Sequence, residues 1–146
     1  MALISPDDQH KLREAFDDMT RPVRLLFFTQ TLGCETCLQA RAILDELPPL
    51  SDKIAIEEVN LILEADKSAR YGIDRAPSIA LVYEDAGVVL DSRIRFVGAP
   101  SGYEFISLVQ AILLAGGCGS NLGEDSLRLI AAVDRPLTLQ VFTTPT

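Results

Sequence analysis

The sequence predicts an α/β domain of the order α-βαβα-ββα, a mixed four-stranded sheet flanked by helices. Three observations predict it. Apolar runs of strand length alternate with amphipathic stretches of helical spacing. Two of the three cysteines, Cys34 and Cys37, stand three residues apart just after the first such run. Pro77 directly precedes two β-rich runs divided by a glycine-containing loop.

The bulk properties leave room for this domain and little else. A chain of 146 residues that is 48% apolar can bury one sizeable core. Its apolar stretch from Phe105 to Ala115 is broken by Ser107 and Gln110 and falls short of the roughly 20 residues a membrane span needs. The opening residues, Met1 to Asp8, show neither a basic start nor an apolar run, so the expected setting is cytoplasmic. A net charge of −8 argues against nucleic acid or an anionic membrane as partner. Three cysteines are too few for a disulfide scaffold.

Asp7 to Met19 carries Leu12, Phe16 and Met19 at helical spacing and begins after Ser5-Pro6, which predicts an amphipathic helix. Val23 to Thr29 reads as a buried strand. Cys34 to Leu47 places Cys37, Ala40, Ile43, Leu44 and Leu47 on one helical face and ends at Pro48-Pro49, so both cysteines are expected in its first turn. Lys53 to Val59 alternates as a second strand, and Glu64 to Tyr71 is a short helix closed by Gly72. Ser78 to Tyr83 and Val88 to Phe96 form a hairpin across Glu84-Asp85-Ala86-Gly87, and Tyr103 to Leu114 is a helix ended by Gly116-Gly117.

The closing segment repeats the opening one. Leu127 to Val133 reads as a helix, and Arg135 to Thr143 echoes Arg21 to Thr29 at a constant offset of 114 residues. The expected organisation is one unit over residues 1–117, then, over 118–146, a linker with the first helix and strand of an incomplete second unit. Leu137 to Phe142 would be an exposed apolar edge unless something covers it.

Chemistry concentrates on Cys34-Glu35-Thr36-Cys37. At a helix start, unpaired N–H groups and the helix dipole favour a thiolate, which makes Cys34 the expected nucleophile. Cys37, about one turn on, is placed to resolve a mixed disulfide. Glu35 beside Cys34 opposes thiolate formation, so a reductant-leaning pair or a slow oxidant is expected. A CxxC pair also serves zinc and iron–sulfur sites, but Cys118 and His10 are the only further cysteine and histidine, and no metal is expected. Ahead of the hairpin, a cis Ala76-Pro77 bond would turn the Ala76 backbone outward to pair with an extended substrate. Cys118, in Gly116-Gly117-Cys118-Gly119-Ser120, reads as an idle thiol in a flexible linker, and His10 as a solvated helix residue.

The CxxC after a buried strand, Asp74-Arg75-Ala76-Pro77 before a hairpin, and Phe96 to Phe105 before the last helix together resemble the glutaredoxin-like protein disulfide oxidoreductases of archaea and bacteria. That resemblance implies a thioredoxin-like fold. It implies two tandem units, the redox pair of the first falling on Cys34 and Cys37 and its cis-proline on Pro77. The family's second pair, resembling Cys-Pro-Tyr-Cys and taken as the more active, has no counterpart here, and Glu35 and Thr36 depart from the aromatic residue usual before the second cysteine.

The expected function is therefore thiol–disulfide exchange with protein or small disulfides, with Ala76 and Pro77 shaping the substrate groove. No bound cofactor is needed, and electrons would come from a thioredoxin-reductase-like flavoprotein or from glutathione. The alternative is a non-catalytic docking module with a structural disulfide. An iron–sulfur or zinc carrier is a third reading.

Overall fold

The computed structural model describes residues 2–144. Helix α1 (Pro6–Asp17) starts where Ser5 accepts the Asp8 N–H through its hydroxyl oxygen and Pro6 takes a position that needs no N–H. Strand β1 (Val23–Thr29) leads into α2 (Cys37–Leu44), a 3₁₀ turn (Pro48–Leu50) and β2 (Ile54–Asn60). Helix α3 (Ala65–Arg70), β3 (Ser78–Asp85), β4 (Val88–Val97), α4 (Tyr103–Ala115) and α5 (Glu124–Ala131) follow.

The strands form one four-stranded sheet in the order β2-β1-β3-β4. β1 runs parallel to β2 and antiparallel to β3, which pairs antiparallel with β4. The mixed sheet and the α-βαβα-ββα order are those expected from the sequence. Among the described residues no helix is long and apolar enough to cross a membrane.

Alternation along β1 builds two cores. Val23, Leu25 and Phe27 face a cluster with Phe16 and Met19 from the α1 segment, Ala40 and Leu44 of α2, and Leu108 and Ile112 of α4. Leu26 and Phe28 face a smaller cluster with Val59, Leu61, Ile73, Ala80 and Val82. Because both faces of β1 are covered, its sequence reads as a continuous apolar run. Burying each large side chain contributes about 1.5–3 kcal/mol, so β1 is the strand on which the domain most depends.

The structure corrects several boundaries. Helix α2 begins at Cys37, not Cys34: Gly33 turns the chain at φ 72°, and the first α-helical hydrogen bond is from Ala40 N–H to Thr36 O, at 2.9 Å. Cys34 therefore lies in the turn ahead of the helix. The hairpin strands run on to Asp85 and from Val88, because Ala86 and Gly87 both adopt positive φ, 49° and 78°, the requirement of a tight two-residue turn. In β4 a bulge, unforeseen from sequence, puts Ser92 to Ile94 opposite Leu81, with Arg93 at φ 66°.

The glycines after α4 belong to the unit rather than to a flexible linker. Gly116 O accepts from Thr20 N at 2.8 Å and Arg21 N at 3.3 Å, and Cys118 N donates to Leu113 O at 3.0 Å. A Cβ on Gly116 would come within 2.6 Å of the Met19 side chain, so the close approach requires glycine. From Gly119 to Thr144 every residue is exposed. Helix α5 forms three residues earlier than expected, at Glu124. The expected strand at 137–142 is unpaired, since a strand needs a neighbour and none of the described residues supplies one. Pro145 and Thr146, the last residues of the expected 118–146 segment, lie outside the described residues.

Candidate redox site

Strand β1 delivers the chain to the redox loop. Thr29 O accepts from Leu61 N at 2.8 Å, which fixes the end of β1 against the end of β2. The loop from Gln30 to Thr36 then turns into α2, and Cys34 and Cys37 are joined as a disulfide with Cα atoms 5.4 Å apart. The two sulfur-bearing residues differ in access: Cys34 is half-buried, whereas Cys37 is only 7% exposed. One residue before the end of β1, Phe28 is fully buried and packs edge-on against Tyr71 with ring centroids 6.3 Å apart. The position six before Cys34 is thus apolar and offers no proton acceptor.

The second predicted element meets the first at the same end of the sheet. Ser78 pairs with Phe28, one residue before β1 ends, so Pro77 and the redox loop leave the sheet side by side. The Ala76–Pro77 peptide bond is cis, as expected. Pro77 is buried and Ala76 half-buried against the smaller core. Pro77 O accepts from Gly98 N at 2.8 Å, and Ser78 Oγ donates to Arg75 O at 2.7 Å, so the loop is held from both flanks. Neither the N–H nor the C=O of Ala76 is hydrogen-bonded to another described residue. Both groups are therefore unengaged within the described residues, where this loop and the redox loop leave the same end of the sheet.

Charges around the site are few. Asp74 and Arg75 form an exposed pair at 2.9 Å, in which the guanidinium lowers the Asp74 carboxyl below its usual range and the carboxylate raises Arg75. Glu35 is exposed and Glu104, in the first turn of α4, has its carboxyl raised by burial. Apolar side chains stand out instead: Leu32 is 85% exposed and Leu38 82%, one on each side of the cysteine pair. The sequence signalled neither, because an exposed leucine in a loop or on a helix is indistinguishable from a core residue by type alone.

The remaining candidates lie elsewhere. Cys118 follows α4, whose end is bonded to Thr20 and Arg21 just before β1, while the redox loop follows β1. It is half-buried against the larger core, at the opposite end of that strand. His10 is exposed on α1, 3.3 Å from Glu14. Among the described residues no group of three histidine, cysteine, aspartate or glutamate side chains is placed to hold a metal ion.

No family model matches the chain. It is 34% identical over 77 residues to a probable thioredoxin of Methanothermobacter thermautotrophicus, spanning 52% of this chain and 80% of that protein. It is 26% identical over 140 residues, 96% of its length, to a component of the alkyl hydroperoxide reductase of Escherichia coli, AhpF, of which it spans 24%. Among solved structures, an N-terminal domain of the corresponding Enterococcus faecalis protein superposes with a TM-score of 0.79 at 31% identity, over 90% of this chain and 62% of that one. The resemblance to disulfide oxidoreductases read from the sequence agrees with these likenesses. A thioredoxin matched over four fifths of its length, and a cysteine pair closed into a disulfide where the first strand of that fold ends, place the chain in the thioredoxin family as a thiol–disulfide oxidoreductase.

Proposed function

We propose that Cys34 is the attacking thiol and Cys37 the resolving one, acting on disulfide-containing protein substrates. The difference in exposure between the two cysteines carries this reading: an incoming disulfide meets half-buried Cys34, while Cys37 is 7% exposed and covered. The reduced Cys34 thiolate attacks one substrate sulfur, forms a mixed disulfide and releases the other sulfur as a thiolate that takes up a proton. Cys37, as thiolate, then attacks Cys34 Sγ, releases the second substrate thiol and leaves the Cys34–Cys37 disulfide. Two electrons and two protons pass to the substrate. The free Ala76 backbone pairs with the extended substrate, and buried Pro77 holds that edge in place.

Reduction of the spent disulfide is assigned to a thioredoxin-reductase-like flavoprotein or to glutathione, in the cytoplasm, with no cofactor bound by this chain. Similarity to a component of an alkyl hydroperoxide reductase over 96% of the chain supports a role as dithiol carrier within a reductase system. The acidic surface, net charge −8, supports partners other than nucleic acid and anionic membranes. Residues 1–117 are proposed as the working unit, on which Cys118 still packs, and 118–146 as a linker leading into helix α5 and a strand-like segment of a further unit, a division supported by the complete exposure of 119–144.

The test is dithiothreitol-driven reduction of insulin. Cys34→Ser is expected to abolish turnover, and turnover at the wild-type rate would overturn the assignment.

A further inference from the structure

Residues 119–144 are all exposed, yet their sequence is not that of a solvated tail. Leu127 and Ile130 lie on one stripe of α5, and Val133 follows just beyond it. Leu137, Leu139 and Val141 alternate with Thr138 and Gln140, so in extended backbone the three share one face. These six apolar residues are 46–89% exposed. From Asp134 to Thr144 no backbone N–H or C=O is bonded to another described residue.

The spacing shows how helix and strand can cover each other. Five residues separate α5 from Leu137, as five separate α1 from Val23. In the first pair Phe16 and Met19 pack into one core with Leu25 and Phe27, and their counterparts in the tail are Ile130, Val133, Leu139 and Val141. One helix on one strand is still too little, because a strand needs a neighbour to take up its backbone groups.

We propose that the neighbour is the same segment of a second copy, and that two chains pair reversibly through their tails. The pattern is its own complement. A two-fold axis at Leu139 sets it opposite the partner's Leu139, Leu137 opposite the partner's Val141, and Thr138 opposite the partner's Gln140. Apolar then meets apolar on the face that α5 covers, and polar meets polar on the other. The open surface of the six residues comes to roughly 600 Å² per chain, or about 1,200 Å² for two, the lower bound of a stable protein–protein interface, to which the paired backbone adds.

Charge favours the same place of contact. Of the net −8, residues 119–146 carry only −1, from Glu124, Asp125 and Asp134 against Arg128 and Arg135. Two copies therefore meet there with the least repulsion. The tail leaves the unit at Cys118, by the start of β1, whereas the redox loop follows the end of that strand. Both cysteine pairs stay open in the dimer, and the inference is independent of the exchange reaction. In dilute solution each tail stands open.

Sedimentation velocity of the full chain over about 1–500 µM tests this. The wild type is expected to pass from one chain mass to two, with a midpoint in the micromolar range, and to stop at two. Leu139→Asp, at an open position, is expected to fold and to reduce insulin at the wild-type rate. It is expected to raise the midpoint at least about tenfold, by setting two carboxylates face to face. Leu139→Ile is expected to keep the association. Mild diamide oxidation of Leu139→Cys is expected to link two chains at the substituted position, mapped by peptide mass, and that of Leu137→Cys to give no such link. A wild type of one chain mass throughout, a mass that climbs past two, or association unchanged in Leu139→Asp overturns the proposal. A link through position 137 in place of 139 overturns its register, and slowed insulin reduction by Leu139→Asp overturns the separation of the tail from the redox loop.

Discussion

The guanidinium of Arg21 lies 3.8 Å over the ring of Tyr83. The same side chain donates from Nε to Ala115 O at 2.8 Å and approaches Asp85 at 3.9 Å. One residue thus joins the entry of β1, the far end of β3 and the last carbonyls of α4. Stacking on an aromatic face adds about 0.5–2 kcal/mol and a charged donor to a partly buried carbonyl about 1.5–3. Arg21→Ala should cost about 2 kcal/mol or more in urea unfolding at constant m-value. Arg21→Lys should recover at most about half, because an ammonium cannot stack and bridge in the same way.

Acid should weaken the sheet surface at Glu57. A hydrogen bond from Lys67 holds the Glu57 carboxyl below its usual value, against partial burial and with help from Arg24. A carboxylate lowered in the folded state contributes stability above the unfolded pKa and loses it as pH falls through the folded one. The partners are about a third exposed, so solvent screens the effect. Urea stability is expected to decline from about pH 5 to pH 3, and Glu57→Gln to flatten that decline. An identical slope in the variant would remove Glu57 from the account.

Glu104 has the opposite sign. Burial alone raises its carboxyl, so in the window above the unfolded value the folded state holds more protons and stability falls as pH rises. Glu104→Gln should therefore be more stable than wild type at pH 7 and lose that advantage below about pH 4. Parallel thermal melts at the two pH values would show it.

Cys37→Ser leaves the attacking thiol without its partner. The variant is expected to accumulate a one-to-one mixed disulfide on Cys34, visible as an intact mass adduct that dithiothreitol removes. Sustained catalytic turnover by this variant would contradict the resolving role.

Removal of residues 119–146 takes away no buried side chain among the described residues. The shortened chain is expected to keep its urea midpoint, within about 0.5 kcal/mol of stability, and its rate on hydroxyethyl disulfide. It should also bind less of an apolar dye such as anilinonaphthalene sulfonate, because Leu139 at 89%, Val141 at 86% and Phe142 at 90% are left open in the full chain.

Much of the fold was legible because β1 is covered on both faces and the helices on one, so Val23 to Thr29 and the stripe of α4 write their burial into residue type. The redox pair and Pro77 were legible for a different reason, since few other chemistries place those residues at those points of a βα and loop–strand sequence. The start of α2 was not, because Cys34, Glu35 and Thr36 fit a first helical turn as well as the turn that precedes one. The bulge at Arg93 was hidden in an ordinary β-rich run. Its free groups are met by side chains, with Ser92 Oγ donating to Leu81 O at 2.6 Å and Arg93 N donating to Asp91 Oδ1 at 2.8 Å. The repeat was legible as spacing alone. At the 114-residue offset, buried Phe16, Met19, Leu25 and Phe27 correspond to exposed Ile130, Val133, Leu139 and Val141, so the tail carries the apolar pattern of an α1–β1 pair without its cover.

The bulge also shapes the outer edge of the sheet. β4 is an outer strand with Val88, Val89, Leu90 and Val97 open to solvent, an invitation to lateral growth of the sheet from molecule to molecule. Two extra residues in its middle throw the halves out of step, and Arg95 is locked to Asp91 at 2.7 Å across the break. A foreign strand that zips onto Val88 to Leu90 loses its footing within a few residues. An edge open to strand-by-strand stacking is therefore cut into short segments that do not propagate it.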